Sequence, residues 1–446
     1  MSKPNVVVFI SHDTGRFLST YGYDTVDTPN FERIARMGTT FDNAYCTTPL
    51  CAPARAALLS GLYPHQNGMM GLPGDMLGGW DLQTKERHLA NVFACSGYES
   101  VLCGFEHETR DFWSVGFETS LHGPGEAHNG GKPLAGVGES IGTWLAERRA
   151  SAGRPFYLQI GCHETHREWS KYAEPFAERG VWKAPYLIDS PEVDREMAEH
   201  QGAVNALDRG VGEVLDALEA AGELENTILV FTTDHGIDFP RAKGTLFDAG
   251  VEVFLFMAWA GGGWYAGARC DELVSHVDLY PTILEACGID VPEGAVGRSM
   301  LPLLSGRGEW TPREAVYHEK IYHDNYDPMR ALRTDRYRYI LNFDAQTMYD
   351  VRIATAPRYT WFRYPFRKRE REELYDLEDD PVEANNLARD PDHQELRERL
   401  KNHLAAWMAV TGDALLDGPI PSPYHLRISA EMKGLAAEEN GARVDT

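Results

Sequence analysis

Three short stretches of this chain carry residue types that could do chemistry if folding brought them together. In Pro49-Leu50-Cys51-Ala52-Pro53-Ala54-Arg55-Ala56-Ala57-Leu58-Leu59-Ser60-Gly61, a cysteine precedes an arginine by four residues. That spacing is one turn if a helix begins at Cys51, and it would put sulfur and a cation on one face. In Ser11-His12-Asp13-Thr14-Gly15 and in Thr233-Asp234-His235-Gly236, a carboxylate and an imidazole are neighbours. Such pairs are able to ligate a divalent cation. Taken singly, a cysteine is ordinarily a small buried apolar residue, and an Asp or His after a strand is ordinarily a cap or turn residue.

The elements that would position these residues follow from apolar patterning. Residues 5–10 (NVVVFI) and 227–232 (TILVFT) are continuous apolar and β-branched runs, which predict strands buried on both faces. Two buried strands that each end in metal-capable residues fit an open α/β sheet with its site at the strand C-termini. Residues 156–161 (FYLQIG) predict a further strand. Helical spacing is found at 28–37, which opens on Thr and Pro, and at 140–149, 201–221 and 277–287. This alternation predicts an α/β fold, a large mostly parallel mixed sheet flanked by helices. After about residue 310 the pattern changes. Residues 337–343 and 373–377 predict short antiparallel strands, and 392–408 a charged helix. We therefore expect a catalytic domain over 1–310 and a smaller C-terminal α+β domain over 311–446, with a tail that frays from about residue 429.

The chain has 446 residues, 43% of them hydrophobic, ample for a sizeable core. Its formal net charge of −24 disfavours nucleic acid and anionic membranes, so any anion site must be a local cationic pocket. Seven cysteines lie at 46, 51, 95, 103, 162, 270 and 287, with no CxxC pair. That argues against a disulfide framework or a structural zinc. The opening MSKPNVVVFIS passes straight into a strand-like run, with no apolar leader region and no membrane-length stretch anywhere. The expected location is cytoplasmic.

Cys-x-Pro-x-Arg followed by Leu-Ser-Gly resembles the maturation motif of sulfatases. The chain is similar to the formylglycine-dependent sulfatase branch of the alkaline phosphatase superfamily along nearly its whole length. Within that branch it most resembles the sulfamidase (heparan N-sulfatase) group. The resemblance extends to Gln66-Asn67-Gly68-Met69, Asp234-His235-Gly236-Ile237 with Phe239-Pro240, Pro328-Met329-Arg330, and Glu373-Leu374-Tyr375-Asp376 with Asp380-Pro381 and Asn386-Leu387. It implies that a formylglycine-generating maturation enzyme oxidises Cys51 to an aldehyde, which hydrates to a geminal diol. One diol oxygen attacks sulfur, and collapse of the second hydroxyl later expels sulfate. A thiol has no neighbouring hydroxyl to drive that expulsion. Arg55 is implied to hold the hydrate.

The resemblance also implies a divalent metal held by Asp13 and Asp234, with His235 and His12. His12 stands where the family usually has the first of two carboxylates, and His235 where many members carry Asn. Calcium is most usual for the family and suits an all-oxygen shell. Imidazoles shift preference toward metals such as manganese, so the metal is left open between calcium, magnesium and manganese. His107 matches the histidine of a Lys-x-His pair whose lysine is here Phe105. His166 matches the histidine that contacts sulfate or protonates the leaving group, with His163 as its substitute. Lys243 matches a cation facing the sulfate, a role that falls to Arg241 if the loop slips by two. His318, Glu319, His323, Asp324, Asp327 and Arg330 fall in the segment that borders the sugar in this group, or else form an ordinary polar loop.

The implied reaction removes sulfate from a sulfated sugar, either N-sulfoglucosamine or an O-sulfated glycan. A phosphodiester or phosphonate monoester hydrolase of the same superfamily, a broad arylsulfatase, and a non-catalytic binding protein that keeps the Cys51 thiol are the alternatives. The implied partners are a sulfated small molecule or oligosaccharide and the maturation enzyme, without nucleic acid or membrane.

Overall fold

The computed structural model describes residues 3–74, 78–121, 134–150, 153–323, 325–344 and 369–444. Its strands in chain order are β1 (Asn5–Ser11), β2 (Thr39–Phe41), β3 (Ala44–Tyr45), β4 (Glu99–Gly104), β5 (Thr119–Ser120), β6 (Phe156–Gly161), β7 (Thr227–Thr233), β8 (Leu255–Ala258), β9 (Ala268–Cys270), β10 (Val274–Ser275), β11 (Val316–Tyr322), β12 (Tyr326–Arg333), β13 (Tyr337–Asn342) and β14 (Glu372–Asp376). The main sheet runs β5-β4-β6-β1-β7-β8-β2-β9. From β5 to β7 all neighbours are parallel. β8 is antiparallel to both β7 and β2.

All seven residues of β1 are buried, and they alternate between two cores. Val6, Val8 and Ile10 enter one layer and Val7 and Phe9 the other, as the two-residue period of a strand requires. The second layer is covered by the helices Pro29–Met37, Val137–Ala150 and Pro191–Ala220. The first is covered by Cys51–Ser60, Leu89–Cys95 and Leu279–Ala286. Every residue of Cys51–Ser60 is buried, and four alanines let it lie between the sheet and its neighbours.

β11 to β14 form a separate antiparallel meander. One face carries Leu332, Tyr339 and Leu374 onto Leu400, Leu404, Trp407 and Met408 of the helix Gln394–Thr411. From the other, Val316, Met329, Ala331 and Ile340 join the core of the main sheet.

Several expectations change in detail. The helix expected over 201–221 begins ten residues earlier, at Pro191, where the Ser190 hydroxyl caps the Val193 amide. The helix expected over 277–287 is Leu279–Ala286, entered through a 3-10 turn, His276–Asp278, whose Asp278 carboxylate accepts the Ser275 amide at 2.8 Å. The segment expected to fray from 429 is instead helical within Pro423–Val444. It opens on proline, which suits a first turn, and carries four alanines and three glutamates, good helix formers. The segment containing residues 318–330 is a strand pair, β11 and β12, rather than a polar loop. Apolar patterning missed β4 and β5 altogether.

Arg330, central in β12, is fully buried, and its guanidinium grips Asp413 with two bonds of 2.5 and 2.9 Å. Removing one partner strands a charge in the core. Asp413→Ala is expected to cost about 3–5 kcal/mol of unfolding free energy in urea titration. A loss below about 1 kcal/mol would show that Arg330 finds water there.

Candidate active site

The parallel register that pairs Ser11 with Thr233 sets the chain after β1 beside the chain after β7. The Asp13 amide donates to Asp234 Oδ1 at 2.9 Å, and the Asp234 amide donates to the Ser11 carbonyl at 3.2 Å. Asp13 adopts a left-handed backbone, φ 55°, which aspartate tolerates better than most residues. Ligand atoms of His12, Asp13, Cys51, Asp234 and His235 lie within 4.8 Å of one another, and all five residues are buried. Two carboxylates, two imidazoles and position 51 converging in one buried volume fit a divalent cation. The Gly236 carbonyl can only accept, so His235 Nδ1, 3.0 Å away, carries the proton. His235 Nε2 is thereby left with a lone pair available to a cation, 3.2 Å from Asp13 Oδ1 and 3.3 Å from Cys51 Sγ.

Two cations meet these carboxylates. Lys243 Nζ lies 2.7 Å from Asp13 Oδ2, and Arg55 Nη1 3.4 Å from Asp234 Oδ2. Burial opposes ionisation of Asp13, but Lys243 above all, with His12 and His235, holds its carboxyl well below the ordinary range. Burial likewise works against the Lys243 charge, and Asp13 more than restores it. Cys51 is the first residue of its helix, at the end whose unpaired amides favour negative charge. Burial pushes its thiol well up, so the sulfur stays protonated at neutral pH. Arg55, one turn on, is completely buried.

A wall of imidazoles faces this cluster. The His166 ring meets His12 edge-on at 4.7 Å, and His163 stacks on His12 at 5.6 Å. Phe105 packs on His163 at 4.2 Å, on His107 at 5.1 Å, and under the Arg55 guanidinium at 5.2 Å. Burial lowers His107 to about 4 and His163 to about 2, and it lowers His12 and His166 as well. These imidazoles are neutral near pH 7, each offering one donor and one acceptor.

His12, Asp13, Cys51, Arg55, Asp234, His235 and Lys243 thus come together, with His107 and His166 alongside. Lys243 rather than Arg241 reaches the cluster: Arg241 donates to the Val382 and Glu383 carbonyls and lies 4.2 Å over the Phe247 ring. Of the six residues placed beside the sugar, His318, Glu319, Asp327 and Arg330 are held by protein partners. His318 Nδ1 donates to the Cys46 carbonyl at 2.8 Å, and Glu319 takes His65 Nδ1 at 2.5 Å. Asp327 is held by Lys320 and Arg369, and Arg330 by Asp413. All four are buried, because strand pairing turns them into the molecule where a polar loop would have left them in solvent. Asp324 lies outside the described residues. Sequence reading assigned no role to Glu108, whose carboxylate is 3.0 Å from Arg55 Nε. Its only signal was an acidic residue next to His107.

Comparison with known proteins agrees with this geometry. The sulfatase family profile matches residues 4–289, and a profile for the C-terminal region of N-sulphoglucosamine sulphohydrolase matches 241–409. Human N-sulphoglucosamine sulphohydrolase is 28% identical over 477 aligned residues, covering 93% of this chain and 92% of that protein. An ulvan-active sulfatase of Formosa agariphila is 27% identical, covering 94% of this chain and 83% of that one. Among solved structures, a protein in complex with its substrate D-glucosamine-2-N,6-O-disulfate superposes with TM-score 0.72 at 19% identity, over 92% of this chain and 99% of that one. The phosphonate monoester hydrolase of Agrobacterium radiobacter superposes with TM-score 0.68 at 19% identity, over 92% and 96%. The family profile spans well over half of the chain and contains Cys51, Arg55 and all four metal-capable residues: this protein belongs to the sulfatase family.

Proposed function

We propose that this protein is a formylglycine-dependent sulfatase that releases sulfate from a sulfated amino sugar, with N-sulfoglucosamine-type sugars as the substrate class. The observation that carries the reading is the position of Cys51: its sulfur lies 3.3 Å from His235 Nε2 within the carboxylate and imidazole cluster. A buried thiol held protonated is a poor nucleophile, which suits a residue that acts after conversion to formylglycine. The substrate class rests on the C-terminal profile match and on the human relative, similar over nearly the whole chain.

Asp13, Asp234, His235 and His12 would hold the divalent metal, with position 51 facing it. Bound there, the metal would lower the pKa of the nucleophilic hydroxyl and neutralise sulfate oxygens. The carboxylates and imidazoles form a softer shell than oxygen alone, which favours manganese over calcium. Lys243 keeps Asp13 ionised, and together with Arg55 it supplies the cationic environment that an anionic substrate needs in a chain of net charge −24. To His166 and His107, neutral and packed on His12 and Phe105, we assign the hydrogen bonds to the substrate and the proton transfer to or from the leaving group. Phe105 stands where the family pattern has a lysine, so one sulfate-binding cation is missing.

Mass spectrometry of the position-51 peptide after co-expression with the maturation enzyme should find the aldehyde or its hydrate. Cys51→Ala should fold normally and lose at least about 10⁴-fold in turnover of an aryl sulfate. Full activity in that variant removes the nucleophile assignment. Faster turnover of an aryl phosphonate than of any sulfate would move the protein to the phosphonate hydrolases. Asp13→Ala and Asp234→Ala should each lower bound metal from about one ion per chain to a small fraction in elemental analysis. Unchanged metal content in both variants would refute the ligand set.

A further inference from the structure

We propose that Glu108 is a positioning residue that fixes the Arg55 guanidinium for the reaction at position 51, an inference that rests on reading position 51 as the nucleophile. The guanidinium has five N–H donors in one plane, so pinning one edge orients the remainder. Its bonds are unequal. Nη1 is 3.4 Å from both the Ser11 carbonyl and Asp234 Oδ2, and Nη2 is 3.4 Å from the Ile10 carbonyl. Those lengths are at the weak end of the range. Nε is 3.0 Å from Glu108 Oε1, the one short bond, and it joins two full charges away from solvent. Both side chains are completely buried.

Glu108 is itself held. Its Oε2 accepts the His107 amide at 2.9 Å, and its own amide donates to Glu106 Oε1 at 2.7 Å. Burial resists its ionisation, but Arg55 brings the carboxyl down to about 2, while burial and Glu108 together push Glu106 well up. One anion therefore faces one cation, with a neutral acid behind. Glycine opens the space: a Cβ on Gly161 would lie 2.9 Å from Arg55 Nη2 and 1.9 Å from the Phe105 carbonyl. The turn after β4 thus lies against β6 and delivers Glu108 to the far edge of the guanidinium. Asp234 meets the Nη1 end of the same guanidinium, so Glu108 acts through Arg55.

A double-mutant cycle tests this, using Arg55→Lys, Glu108→Gln and the double variant. Aryl sulfate kinetics are measured well below each melting temperature and normalised to the formylglycine content of the position-51 peptide. Glu108→Gln should lower kcat by about tenfold or more with KM changed less than about threefold. In the Arg55→Lys background the same change should alter kcat by less than about threefold, because the group it orients has gone. A merely structural role predicts a lower melting temperature with kcat per matured site unchanged, and that result overturns the proposal. So does full multiplication of the two losses. If Glu108→Gln does not fold, Glu108→Asp, which keeps the charge but draws it back from Nε, takes its place under the same criteria. Absence of sulfate hydrolysis by matured wild type would defeat the nucleophile reading itself, and this inference with it.

Discussion

Parallel pairing of β1 with β7 drives two aspartates into one buried volume, where the amide of one touches the carboxylate of the other. Ionised carboxylates that close repel, and each loses its hydration, so the arrangement survives only if cations are built around it. Lys243 answers Asp13 and Arg55 answers Asp234. Both arrive from segments remote in sequence, and both are almost wholly buried. The rest of the site follows from this requirement. A helix that starts at Cys51 delivers Arg55 one turn later, and the same geometry sets position 51 against His235.

The small sheet takes part by bracing. The Glu319 amide donates to the Thr47 carbonyl at 2.8 Å, and His318 holds the Cys46 carbonyl. Lys320 Nζ donates to the Gly244 carbonyl at 2.7 Å, and the Gly244 amide donates to the Pro49 carbonyl at 3.0 Å. β11 therefore ties together the approach to Cys51 and the loop that presents Lys243. Residues expected to border a sugar also brace the loops around position 51 and Lys243, and their own charges are met by His65, Lys320, Arg369 and Asp413. A catalytic geometry is kept this way, by packing and hydrogen bonds behind the groups that react.

Local charge and global charge have opposite purposes here. The chain as a whole is strongly acidic, while the described cluster pairs each carboxylate with a cation and lines its remaining wall with neutral imidazoles. Phe105 adds to this by packing on three histidines and Arg55, where a lysine would have brought a further charge. Polar recognition on that wall then rests on imidazole donors and acceptors in a dry, aromatic setting, where each hydrogen bond counts for more than in water.

The sequence by itself determined the elements that local chemistry controls. Unbroken apolar runs made β1, β6 and β7 legible, the four-residue interval made Cys51 and Arg55 one unit, and the polar residues after the strands marked the candidate ligands. Weakly patterned elements escaped it. β4 ends in a glycine whose left-handed turn no apolar period announces, and β11 and β12 carry charged residues that look solvated until a partner is found for each. Tertiary structure alone decided that Lys243 and not Arg241 meets Asp13, that Arg330 belongs to Asp413, and that Glu108 grips Arg55. The physical reason is that a buried charge is defined by its counter-charge, and these partners lie between 53 and 230 residues apart along the chain. No local period or spacing encodes such a pairing; only the folded arrangement of β-sheet, helix and loop brings it about.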